Sequence, residues 1–93
     1  MFKEERIKNE VSNIYINYAL AIGRDVSKVT IDTKLAFPAG LKLSDVQRKS
    51  RKPELNEILQ RESATLFVDF EVMAFSTIKD AQNEVWSRVD SAA

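Results

Sequence analysis

Ile7, Val11, Ile14, Tyr15, Tyr18 and Ile22 recur three and four residues apart, and this stripe constrains the fold of the chain more than any other feature. Side chains at that spacing share one face of an α-helix, so a helix is predicted over Lys3 to Ile22 with an apolar face that other elements must cover. Gly23 follows where such a helix takes its left-handed cap. Ile16 and Leu20 lie off the stripe, beside a row of Asn9, Asn13 and Asn17. The C-terminal half of the helix is therefore expected either to be buried on two sides, leaving at most Ile16 singly exposed, or to offer a face to a partner. A second stripe, Ile78, Ala81, Val85 and Val89 widened by Trp86, predicts a closing helix capped by Ser76 or Thr77.

The middle of the chain is open to two readings. Val29, Ile31, Thr33, Leu35 and Phe37 alternate as a half-buried strand would, and so do Leu66, Val68, Phe70 and Val72 against Phe67, Asp69 and Glu71. Between them, Phe37-Pro38-Ala39-Gly40 is turn chemistry, because Pro38 biases Phe37 toward extended backbone and Gly40 permits a positive φ. Pro53 suits the first turn of a helix with Leu55, Ile58 and Leu59 inside, and a helix continuing from Ser44 would kink there. One reading is mostly α, a small helical bundle in which both alternating stretches are loop. The alternative is an α+β interaction or regulatory module with strands at about 29–37 and 65–72, joined by the 53–62 helix as crossover if they are parallel.

With 93 residues the chain can bury one modest core, so 1–93 is expected to be a single domain. It has no cysteine and no histidine, which removes disulfides, thiol nucleophiles, the commonest metal ligand and the usual general base. The carboxylates form no convincing acid–base pair, and neither a dense acidic loop nor a Gly-rich phosphate loop is present. An enzyme is not expected. The charged stretch Met1 to Lys8 and the short apolar run Tyr18 to Ile22 exclude a signal core or a membrane span as read from sequence, and a cytoplasmic location is the expectation.

Fourteen basic and fourteen acidic residues cancel, so nothing draws the whole chain to nucleic acid or anionic lipid. The one local excess is at 42–52, where Lys42, Arg48, Lys49, Arg51 and Lys52 oppose Asp45 alone. This segment is expected to be solvated. Nucleic-acid binding through it is the weaker reading, since no aromatic side chains interleave with the cations.

Taken in order, these signals resemble the acyl carrier and peptidyl carrier proteins. The family opens with a helix similar to Glu4-Glu5-Arg6-Ile7-Lys8 and runs through a long loop of the type Val29-Thr30-Ile31-Asp32-Thr33-Lys34-Leu35. It reaches a glycine before the second helix, here Gly40, and closes with a short helical turn and a threonine-capped helix, resembled by Phe70 to Phe75 and Ser76 to Ala81. The resemblance implies a helical bundle and a phosphopantetheine arm, carried by a serine at the start of the second helix, on which an acyl or aminoacyl group rides while other enzymes act on it. The family's Gly-x-Asp-Ser-Leu is not intact: Gly40-Leu41-Lys42-Leu43-Ser44-Asp45 puts Leu43 at the serine position. Ser44, one residue later, is the implied attachment point, with Ser50 as the alternative; with neither modified, the chain is a degenerate carrier acting through protein contacts. About half a dozen residues are added before Pro53, and the usually acidic second helix is basic. Arg48, Lys49, Arg51 and Lys52 would then face protein partners with acidic docking surfaces.

Overall fold

The computed structural model describes residues 2–93, which form five helical segments: α1 (Lys3–Ala21), α2 (Asp45–Lys49), α3 (Lys52–Arg61), α4 (Asp69–Met73) and α5 (Ile78–Ala92). The mostly α reading holds. Among the described residues the only extended pairing is two isolated bridges, Lys34 with Thr77 and Ala36 with Leu43, so the expected strands at 29–37 and 65–72 are absent.

The two apolar stripes build the bundle. Ile7, Val11, Tyr15 and Ala19 of α1 are buried, as are Ile78, Ala81, Val85 and Val89 of α5, and these two long helices pack chiefly against each other. Gln82, the one buried polar residue among those described, donates to the Lys8 carbonyl and to Ser12 Oγ at 3.0 and 2.7 Å, pinning α5 across α1. Helix α3 adds Leu55, Ile58 and Leu59 to the same core. Each such side chain contributes about 1.5–3 kcal/mol on burial. Trp86 is only half-buried at the core edge, and Ile16 is half-buried while Leu20 is exposed, so α1 is covered on more than one side but not all round.

The helix ends follow their chemistry. Gly23 has φ +82, its N–H bonds to the Leu20 carbonyl and that of Arg24 to the Ala19 carbonyl at 2.8 Å, a Schellman cap. Thr77 caps α5, accepting from the Asp80 N–H while Asp80 accepts from the Thr77 N–H. Pro53 stands in the first turn of α3, and the break it implies falls at Ser50 and Arg51, separating α2 from α3.

The long 22–43 connection is loop, and it sends in only part of its apolar set. Leu35, Leu41 and Leu43 are buried and Val29 is half-buried, whereas Ile31 is exposed and Phe37 is 69% exposed. Bonds from Leu41 N–H to the Lys34 carbonyl and from Leu43 N–H to the Leu35 carbonyl fold the 34–43 excursion back on itself, around a cis Phe37–Pro38 peptide. Gly40 cannot be replaced without strain: φ is +58 and a Cβ there would lie 1.9 Å from the Lys34 carbonyl oxygen. Arg24 fastens the returning chain to the end of α1 through the Leu41 and Lys42 carbonyls.

In the 65–72 stretch the expected alternation is not kept. Phe67 and Val72 are buried while Leu66, Val68 and Phe70 are exposed, Phe70 by 75%. Side-chain anchors, not a sheet, decide this. Asn56 on α3 accepts from the Phe67 N–H at 2.8 Å and donates to the Phe67 carbonyl at 3.1 Å. Arg88 on α5 donates to the Thr65 and Leu66 carbonyls, pairs with Glu71 and Glu84, and lies 4.2 Å from the Phe67 ring centroid.

Candidate functional site

The sequence places its candidate residues at the start of α2, and the local structure there follows from Leu41 and Leu43. Both are buried, so the chain between the 34–43 excursion and α2 is anchored on either side of Lys42, which adopts φ +55 with its side chain exposed. Leu43, which stands where the carrier family has its serine, is fully buried and has no reactive group.

Ser44 is exposed and is the N-cap of α2. Its Oγ accepts from the Gln47 N–H at 3.1 Å, and Gln47 Oε1 accepts from the Ser44 N–H at 2.9 Å, a complete capping box. The hydroxyl proton is not used in that exchange. The first amides of any helix lack intrahelical partners, and Asp45 and Val46 open this one. A phosphodiester on Ser44 Oγ therefore fits: the oxygen is on the surface, and the neighbouring Asp45 carboxylate is already held by Arg48 at 2.8 Å.

Two exposed apolar residues stand near the serine along the backbone. The Phe37 N–H donates to the Leu43 carbonyl at 3.0 Å, which brings the Phe37 backbone against the peptide that carries Ser44. Val46, two residues beyond Ser44, is 67% exposed. The alternation of Val29 to Phe37 predicts an inward-facing Phe37, and the structure leaves it exposed beside Pro38.

The basic run does not form a free patch. Arg48 is only 11% exposed at its side chain, donates to the Leu43 carbonyl and pairs with Asp45. Arg51 is 13% exposed, pairs with Glu54 and lies 3.5 Å from the Tyr18 ring centroid. Lys52 pairs with Asp69 on α4 at 2.7 Å. Of the four expected partner-facing cations only Lys49 has no ion-pair partner among the described residues, with exposed Lys42 beyond it. The expectation of a solvated 42–52 segment is thus corrected: Leu43 belongs to the core, and the two arginines lie along α1 and α2, because long cationic side chains cover apolar surface with their stems. Ser50 is exposed at the C-cap of α2 with its hydroxyl donating to the Val46 carbonyl at 2.8 Å.

Beneath the arginines, Tyr15 is fully buried and its hydroxyl has no hydrogen-bond partner among the described residues; Arg48 Nε is in the same position. Burial pushes the Tyr15 phenol far above its ordinary value, against the opposing pull of Arg51 and Arg48. A surface groove of about 390 Å³ runs between α1 and α3 and is lined by Glu10, Asn13, Asn17, Tyr18, Arg51 and Glu54, not by Ser44 or Ser50. Among the described residues no group of carboxylates is arranged to hold a metal ion, and no helix is long and apolar enough to cross a membrane. Set against known proteins, the chain matches no family model, no curated protein and no solved structure.

Proposed function

We propose that this chain is a carrier-type helical bundle whose Ser44 hydroxyl bears a phosphopantetheine arm. The observation that supports the reading is the placement of Ser44: an exposed hydroxyl at the N-cap of the second helical segment, at the end of a long loop. The order of elements, a long first helix, a long loop, a second helix in two pieces, a short helix and a long last helix, agrees with it. When bound, the arm supplies a thiol that holds an acyl or aminoacyl group as a thioester.

The chain's own residues fix where that attachment stands. Leu43 roots the attachment point in the core, Gln47 holds the Ser44 backbone, and Arg48 ties the Asp45 carboxylate and the Leu43 carbonyl to one guanidinium. The chain performs no chemistry itself. Partner enzymes in the cytoplasm dock around Ser44 on Phe37 and Val46, with acidic groups facing Lys42 and Lys49.

A second reading, an unmodified carrier-type bundle acting only through protein contacts, draws on the buried Leu43 at the family's attachment position. Incubating the apo protein with a broad-specificity phosphopantetheinyl transferase and coenzyme A separates the two. The first reading predicts a single phosphopantetheine increment, mapped to Ser44 and absent from Ser44→Ala. An increment on Ser50, or none at all, removes Ser44 as the attachment point, and the absence of any increment favours the unmodified bundle.

A further inference from the structure

The basic run contains a second exposed hydroxyl that the carrier reading leaves unused. Ser50 is preceded by Arg48 and Lys49 and followed by Arg51 and Lys52. Among the serines of the chain only this one has cations on both sides at one and two residues' distance; Ser27, Ser44, Ser87 and the rest have at most one. We propose that Ser50 is a phosphoacceptor for a serine kinase whose substrate groove is acidic. Such a groove selects its substrates through carboxylates that pair with arginines and lysines close to the acceptor, and charge-assisted pairs of this kind are the strong ones.

Access to the hydroxyl depends on how firmly the segment is held. Helix α2 has five residues and none of them is buried. Opening Ser44 to Arg51 into the extended form a kinase cleft requires thus breaks hydrogen bonds, among them Arg48 to the Leu43 carbonyl, the Asp45–Arg48 and Arg51–Glu54 pairs, the Arg51–Tyr18 contact above Tyr15 and the packing of α2 against α4, while Leu43 and Leu55 on either side keep their places in the core. Segments with few buried apolar contacts are those that open at low cost. The serine's own bond, to the Val46 carbonyl, is a local back-bond of little weight.

In the reaction Ser50 Oγ attacks the γ-phosphorus of a nucleoside triphosphate. The Oγ–P bond forms, the bond to the nucleoside diphosphate leaving group breaks, and the hydroxyl proton passes to a carboxylate of the kinase. The product adds about −1.5 to −2 charges to a stretch, Asp45 to Lys52, in which four cations oppose one carboxylate. The local excess of three positive charges falls to about one to one and a half. Modification at Ser50 would therefore weaken the preference of this face for acidic partners.

The experiment uses the folded full chain and, in parallel, a peptide of residues 44–56, each with a basic-directed serine kinase and γ-labelled ATP. We expect label on both, mapped by fragmentation to Ser50, retained in Ser44→Ala and lost in Ser50→Ala. Replacing Arg48 and Lys49 together by Gln in the peptide lowers kcat/KM by about tenfold or more, since one lost charge-assisted contact is worth about that factor. The Ser44→Ala arm keeps the result independent of the phosphopantetheine reading, because coenzyme A does not carry the label. Label on the peptide alone shows the hydroxyl closed off in the fold and overturns the proposal. Label on neither, or on another serine, overturns it as well.

Discussion

Asn56→Ala is the substitution whose cost follows most directly from the structure. The Asn56 amide satisfies both the N–H and the C=O of Phe67, at 2.8 and 3.1 Å, and Phe67 is buried, so water does not replace it. Leaving a buried backbone group unpaired costs about 1–3 kcal/mol, so two such groups cost roughly 2–6 kcal/mol together. Alanine is the better helix former by about 0.6 kcal/mol in the middle of α3, which offsets part of that. The net loss is about 1.5–5 kcal/mol, or a fall in melting temperature of at least roughly 6 °C for a domain of this size. Asn56→Asp keeps the acceptor for the Phe67 N–H and loses only the donor, so it should fall between wild type and Asn56→Ala. Urea unfolding followed by circular dichroism measures all three. An Asn56→Ala protein within about 0.5 kcal/mol of wild type, the range of an ordinary surface change, would mean that Thr65 to Val68 is not seated on α3 as described.

Four further outcomes are expected. Gly40→Ala combines a left-handed φ with a Cβ 1.9 Å from the Lys34 carbonyl oxygen and should cost about 3 kcal/mol or more; a thermal melt matching wild type would contradict the 34–43 turn. Tyr15→Phe removes a buried hydroxyl that has no partner, so unfolding should show unchanged stability or a gain of up to about 1 kcal/mol; a clear loss would reveal a bond to that oxygen. Val85→Asp places an unpaired charge in the core and should leave the chain unfolded by circular dichroism, whereas Trp86→Ala, at a half-buried position, should cost only about 2 kcal/mol. Three carboxylates are held below their ordinary values, Glu71 by the Val68 N–H and then Arg88, Asp69 by Lys52, Glu62 by Lys3. Their stabilisation is complete above the ordinary carboxylate range and is lost as pH falls through the lowered values, so the melting temperature should be level near neutrality and decline on the acid side, less steeply in Glu71→Gln.

What the sequence made legible is what periodicity encodes. The stripes of α1 and α5, the inner face of α3 and the caps at Gly23 and Thr77 all lie where their spacing and chemistry place them, because one helix face and one cap are local properties. The stretches 29–37 and 65–72 were ambiguous for an equally physical reason: five or six alternating residues suit a strand or an irregular loop equally well, and distant side chains decide. Asn56 and Arg88 seat Phe67 inward and turn Leu66, Val68 and Phe70 out, and neither residue differs in sequence from an ordinary exposed polar position on its helix. The same holds for the candidate site. Ser44 at the start of a helix was readable from Ser44-Asp45-Val46-Gln47, a capping pattern, but the ties that hold Arg48 and Arg51 were not, since they depend on Asp45, Glu54 and the Tyr18 ring lying within reach in the fold.

The central claim is that Ser44 carries a covalent arm, and the mass of the protein isolated from its native host tests it most directly. A phosphopantetheine increment on the intact chain, confined on digestion to a peptide containing Ser44 and lost from a Ser44→Ala chain expressed in the same cells, is the predicted result. A chain recovered wholly at its unmodified mass, or an arm located on any other residue, would contradict it.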